Sequence, residues 1–257
     1  MKPQQQVAIE AHSAVAKQFS QRYTGLEGDP FQNCFLYSRF RLDRWLNQYL
    51  PVAGEGAQIL DAGCGSGHYS SVLHERGFSV TGVDGSEEML AIARVSNPGV
   101  EFKPADLTQC LPLSDATFDY IVCIEVLRYL PEVAPVLSEF ARILRPGGVC
   151  LVTAMPLFNI NGYWFVNRAA GLLGTTTISP LRQFFTTSSE LHQQFREAGF
   201  TTVSVHGVYT GPVNWVERLA PGILPRFLRW WSSIDSRLCD FGALRELSNM
   251  FLVRAVR

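Results

Sequence analysis

The stretch Ile59-Leu60-Asp61-Ala62-Gly63-Cys64-Gly65-Ser66-Gly67-His68-Tyr69-Ser70 joins an apolar run to a turn with three alternating glycines. Glycines 63, 65 and 67 let the backbone bend sharply and approach a ligand closely, and the residues beyond them open a helix whose free N–H groups face that ligand. Asp61 adds a carboxylate at the strand end. The turn reads as the binding element for a nucleotide-like ligand, and the chain is organised around it.

Outward from this turn, strand, turn and helix repeat several times. Strands are predicted at 58–62, 79–83, 100–103, 118–124, 149–154, 200–209 and 251–256. Helices are predicted at 69–76, closed by Gly77, and at 133–144 and 188–198. The continuous apolar runs imply that both sheet faces are covered. The expected fold is a doubly wound, Rossmann-like α/β architecture with a seven-stranded, mostly parallel sheet, an antiparallel edge strand and helical insertions. Upstream, apolar spacing predicts one helix over 7–23 and a second over 35–50, ended by Pro51. These helices are placed over the mouth of the sheet, where Phe19, Tyr23, Tyr37 and Arg39 are candidate ligand contacts; the plainer reading of such aromatics is core packing.

The 257 residues, 47% hydrophobic and 18% charged, are enough for a full core in one domain. A net charge of −1 gives no global attraction for phosphate backbones, so a small molecule fits better as partner than nucleic acid. Cysteines 34, 64, 110, 123, 150 and 239 lack C-x-x-C spacing, which argues for reduced, mostly buried thiols in a cytoplasmic protein rather than a zinc knuckle or a disulfide framework. No clustered metal-ligand motif is present, so no metal is expected. The N-terminal residues lack the apolar run of a signal peptide, and no stretch approaches the roughly 20 apolar residues that span a bilayer. Stable membrane insertion is therefore not expected, peripheral contact stays open, and the composition leaves the oligomeric state undetermined.

Three cofactor classes use a glycine turn after a first strand. A phosphate loop requires Gly-x-x-x-x-Gly-Lys, and no lysine occurs between 58 and 80. The dinucleotide fingerprint, started at Gly63, needs glycine where His68 stands. Gly-x-Gly-x-Gly with an acid two residues ahead suits instead a ligand bearing a cationic amine and a carboxylate, such as S-adenosylmethionine.

Over roughly residues 56–155 the chain resembles the class I S-adenosylmethionine-dependent methyltransferases, in particular the small-molecule group with an unelaborated catalytic core. Leu60-Asp61-Ala62-Gly63-Cys64-Gly65-Ser66-Gly67 matches the first motif of that family. The resemblance implies that Asp61, Gly63, Cys64, Gly65 and Gly67 hold the methionine portion. Asp84 and Gly85, at the end of strand two, match the ribose-binding position, and Met89 lies near the adenine. Asp106 and Leu107, beyond strand three, match the adenine-recognising pair. Cys123 and Ile124, at the end of strand four, border the methionine end, and Arg145-Pro146-Gly147-Gly148 matches the turn before strand five. The same resemblance divides the chain into an N-terminal helical lid (1–55), a cofactor-binding core (56–155) and two insertions, 156–187 and 213–249, that form a substrate cap.

Methyl transfer from a sulfonium is an in-line displacement in which alignment and desolvation do most of the work, whereas a hydroxyl acceptor also requires proton removal. Many relatives carry histidine a few residues past the glutamate after strand four; here that region reads Glu125-Val126-Leu127-Arg128-Tyr129. Tyr129 and His68 are the candidate catalytic residues. Glu125, Arg128, Tyr23, Tyr37, Arg39, Trp164 and Trp215 are the candidate acceptor contacts, while His12, His74, His192 and His206 read as surface or structural. The two insertions are rich in aromatics, which predicts a small apolar or aromatic acceptor and favours O-methylation. Alternatives are an N- or C-methyltransferase on a small metabolite or lipid-linked acceptor, a cofactor-binding protein without catalysis and, more remotely, a nicotinamide-dependent oxidoreductase. The segment 213–249 reads as cap or core packing, with membrane contact as a further reading weakened by Glu217, Asp235, Asp240 and Glu246, which dilute its arginines.

Overall fold

A computed structural model describes residues 4–14, 16–23, 28–50, 56–162, 168–169 and 183–257. Seven strands, β1 (Gln58–Ala62), β2 (Ser79–Asp84), β3 (Glu101–Pro104), β4 (Phe118–Cys123), β5 (Leu144–Ala154), β6 (Thr202–Tyr209) and β7 (Met250–Val256), form one sheet in the order β3-β2-β1-β4-β5-β7-β6. The first five run parallel. β7 is antiparallel to both neighbours and sits one place in from the margin, between β5 and the edge strand β6.

Period-two alternation explains why both faces are covered. Leu60, Ile121, Cys123, Cys150, Val152, Phe251 and Val253 face a core completed by α6 (Ala134–Ile143) and α7 (Ser188–Glu197). Their neighbours Ile59, Val122, Leu151 and Leu252 face the opposite core, completed by α3 (Cys34–Tyr49), α4 (His68–Glu75), α5 (Glu87–Ser96), α8 (Val213–Leu219) and α9 (Leu224–Leu238). The helix starts are written into the sequence: Ser86 Oγ accepts from Met89 N at the head of α5, and Thr187 with Glu190 forms a capping box at the head of α7.

The N-terminal stretch is helical, as expected over 7–23: α1 (Gln4–Ala14) and α2 (Ala16–Tyr23) are described, and residue 15 between them lies outside the described residues. Tertiary docking accounts for the placement of α1. Ile9 lies against Gly85, where an added Cβ would come within 2.6 Å of Ile9 Cδ1, and the Ser13 and Ser86 hydroxyls are 2.7 Å apart. α1 thus lies over the sheet mouth as expected, whereas α3 does not; the apolar side of α3 is buried in the second core, and Asn33 caps its start by accepting from Leu36 N. No helix among the described residues is long and apolar enough to cross a membrane.

Candidate active site

The C-terminal ends of β1, β2 and β4 open into one cavity, the position where open α/β sheets bind ligands. The glycine turn forms its floor. Gly63 adopts φ +77°, and a Cβ there would stand 2.3 Å from Val126 Cγ2, so both conformation and space require glycine. The Gly63 and Cys64 amides donate to Val83 O at 2.7 and 3.0 Å, tying the end of β1 to that of β2. Gly65 N donates to Asp84 Oδ2 and Ser86 N to Asp84 Oδ1, each at 2.9 Å, so one carboxylate sets the spacing of the first two motifs.

Two carboxylates line this end. Asp61 is buried and accepts from Ser70 Oγ at 2.6 Å. Burial, reinforced by the neighbouring Asp84 and opposed by the Ser70 bond, pushes its pKa up to about 7. Burial also raises Asp84, against the hydrogen bonds from Ser86 and Gly65. Two acids on one cavity wall, with His12 of α1 near enough to lower the pKa of Asp84, fit a ligand that brings an ammonium. Beyond Asp84 the wall continues through Gly85, Ser86, Met89, Ala105, Asp106 and Leu107. Asp106 Oδ1 accepts from Thr108 N and Oγ1, at 2.9 and 2.8 Å, which fixes the loop after β3.

The opposite end is built from distant segments and holds its carboxylate differently. Glu125 adopts φ +65°, costly for a non-glycine residue, and its N–H donates to Thr153 Oγ1 at 2.6 Å. Its carboxylate lies between Arg39 Nη2 at 3.5 Å and Arg128 Nη1 at 2.5 Å. Burial pushes Glu125 toward the neutral acid, but the two guanidiniums prevail and hold its pKa below the usual range. Arg128 Nη2 also donates to Tyr129 Oη at 3.0 Å, and the Tyr129 ring meets His12 edge-on at 4.9 Å. His68 opens α4 in the cavity wall; burial, with Arg39 adding to it, lowers its pKa to about 4, so the ring is neutral at physiological pH.

Of the residues singled out from the sequence, Asp61, Gly63, Cys64, Gly65, His68, Asp84, Gly85, Met89, Asp106, Leu107, Ile124, Glu125 and Tyr129 meet in this cavity. Others do not reach it. Gly67 is the N-cap of α4, at φ +85°, behind the turn. Cys123 is fully buried in the first core, because it points away from the face that Ile124 presents. Tyr37 is fully buried and donates to Asp235 Oδ2 at 2.6 Å, since α3 packs against α9 at that point. Trp215, on α8, donates to Asn161 O at 3.0 Å on another side of the molecule. Arg39 and Arg128 stand behind the wall and act on it through Glu125. Trp164 and the side chains of Phe19 and Tyr23 lie outside the described residues. Sequence reasoning missed Ile9 and His12, which line the cavity from α1; their i, i+3 spacing on one helix face is the only signal they leave.

Comparison with known proteins follows the same outline. A family model described as "Methyltransferase domain" matches residues 60–152. A ubiquinone biosynthesis O-methyltransferase of Pseudomonas aeruginosa (strain PAO1 lineage) is 30% identical over 182 residues, covering 68% of this chain and 77% of the relative. A probable S-adenosylmethionine-dependent methyltransferase of Mycolicibacterium smegmatis is 33% identical over 175 residues, covering 67% of this chain and 63% of that one. Among solved structures, a magnesium protoporphyrin IX methyltransferase from Synechocystis PCC 6803 with bound S-adenosylhomocysteine superposes with a TM-score of 0.63 at 17% identity, covering 99% of this chain and 100% of the other, and so shares the fold. With the acid-flanked glycine turn, these matches make S-adenosylmethionine the cofactor, and the chain belongs to the class I S-adenosylmethionine-dependent methyltransferases.

Proposed function

We propose that this enzyme methylates a hydroxyl group on a small aromatic acceptor. The carrying observation is the arrangement at the acceptor end, where Glu125 lies between Arg39 and Arg128 beside a neutral His68. The two guanidiniums engage the Glu125 carboxylate from behind and weaken its pull on a protonated amine, while the neutral imidazole offers an acceptor for a hydroxyl proton. The name of the Pseudomonas relative, an O-methyltransferase, supports the same choice of atom.

In this reading Asp61 and the turn from Gly63 to Gly65 hold the methionine end, Asp84 the ribose, and Asp106 with Leu107 and Met89 the adenine. When bound, the cofactor supplies an electrophilic methyl group on a positively charged sulfur. His68, being neutral, accepts the acceptor's hydroxyl proton as a hydrogen bond, and Tyr129, polarised by Arg128, fixes the ring's orientation with His12. α1 serves as the lid, since Ile9 and His12 close the cavity above Gly85. The described residues 183–187 extend the cap, with Phe184 N donating to Arg128 O at 2.8 Å.

The test is methyl transfer from a deuterated donor to a panel of phenols, catechols and primary amines, with products resolved by mass spectrometry. Label on phenolic oxygen is expected. Label on amines alone would overturn the assignment.

A further inference from the structure

Four acids in the segment from α8 to β7 weaken its basic character in the sequence, yet each is turned into the fold. Glu217 accepts from Cys34 N at 2.9 Å. Asp235, fully buried, accepts from Tyr37 and from Thr210 N and lies 3.5 Å from Arg41. Asp240 engages His206, Gly207 N and Arg245, and Glu246 accepts from Ser188 N. The arginines behave differently. Arg218, Arg226 and Arg237 are exposed, without an acidic partner among the described residues, and Arg229 points outward to an exposed pair with Asp29. The outer face of α8–α9 is therefore cationic although the segment's sequence charge is mixed.

The same segment carries large apolar side chains in water. Leu219, at the end of α8, is 77% exposed, Ile223 57% and Trp230 62%. Ile223 is the N-cap residue of α9, and Arg226 and Trp230 stand at i and i+4 on one side of that helix. The helix needs none of them for its own anchoring. Leu224 and Leu228 are buried, and Trp231 donates to Thr210 O at 2.8 Å, which holds α9 and leaves Trp230 outward. None of these residues lines the cofactor cavity.

We propose that this face is a docking surface for an anionic lipid bilayer, on which Leu219, Ile223 and Trp230 enter the headgroup boundary while Arg218 and Arg226 meet lipid phosphates. The charge decides the occupant. A tryptophan and aliphatic stripe flanked by unneutralised arginines is what an interfacial helix presents to anionic lipid, whereas a self-complementary contact would set these arginines against their own copies.

The experiment is flotation of the full chain with vesicles of phosphatidylglycerol and phosphatidylcholine, or of phosphatidylcholine alone. The protein is expected to float with the anionic vesicles and to bind the neutral ones at least about tenfold more weakly. The pair Leu219→Ser with Trp230→Ser, and separately Arg218→Glu with Arg226→Glu, should each cut anionic binding by about tenfold or more. Affinity for S-adenosylhomocysteine should stay within about twofold, reporting an intact fold. Absence of flotation, undiminished flotation of both variants, or conversion of a dimer to monomer by these changes in light scattering would overturn the proposal, the last by assigning the face to a second copy.

Discussion

The two ends of the cavity differ both in what holds their carboxylates and in how the chain assembles them. At the cofactor end, Asp61 and Asp84 sit at the ends of adjacent parallel strands, and short hydrogen bonds to Ser70, Gly65 and Ser86 hold them. At the acceptor end, α1 contributes His12, α3 contributes Arg39, the segment after β4 contributes Glu125, Arg128 and Tyr129, and β5 contributes Thr153. The acids of the first end are held by hydroxyl and amide donors, whereas the carboxylate of the second is held between two guanidiniums.

The contrast is most easily broken at the turn. Gly63→Val places a branched side chain at φ +77° where even a Cβ meets Val126 at 2.3 Å. S-adenosylhomocysteine affinity should fall by about a hundredfold or more in calorimetry, through combined strain and overpacking. At the other end, Glu125→Gln leaves Arg39 and Arg128 facing each other without their shared carboxylate. Thermal or denaturant unfolding should register a loss of about 3 kcal/mol, as for a buried ion pair that loses one partner. Cofactor affinity should change far less than in the glycine variant.

The pH dependence separates the ends more finely. The folded pKa of Asp61, about 7, lies above its ordinary value of 3.8, so its contribution to the stability of the unliganded protein is fully present below about pH 3.8 and is lost as pH rises to about 7. A cationic ligand reverses the sense, because it binds the ionised carboxylate. Affinity for S-adenosylhomocysteine should drop about tenfold between pH 8 and pH 6, and Asp61→Asn should bind weakly with a flat profile. The smallest effect belongs to a site remote from both ends. Val95 is 84% exposed, and Val95→Ser should alter stability by no more than about 0.5 kcal/mol and leave binding unchanged.

The same contrast explains what was legible in the sequence. The strands and the glycine turn depend on residues close together in the chain, and the spacing from Asp61 to Gly65 locates the floor of the site. Glycine turns and alternating apolar runs are local signals, so β1 to β5 and most of the cavity wall were readable. The acceptor end was not, since its contacts form only when α3 brings Arg39 beside Glu125 and α1 brings His12 beside Tyr129. Tyr37 and Trp215 were misplaced for a related reason. An aromatic near a predicted site has the same spacing as one that anchors a helix, and hydrogen bonds to Asp235 and to the Asn161 carbonyl commit these two to packing. The acids of α8–α9 show the effect for charge: counted along the chain they dilute the arginines, but in the fold they face inward.

The most direct test of this arrangement is the choice of atom on a single acceptor. An aminophenol that resembles the best phenolic acceptor offers oxygen and nitrogen in the same pocket, and incubation with a deuterated methyl donor followed by NMR of the product identifies the atom that carries the label. The two arginines around Glu125 and the neutral His68 predict the label on oxygen; a label on nitrogen would contradict the account.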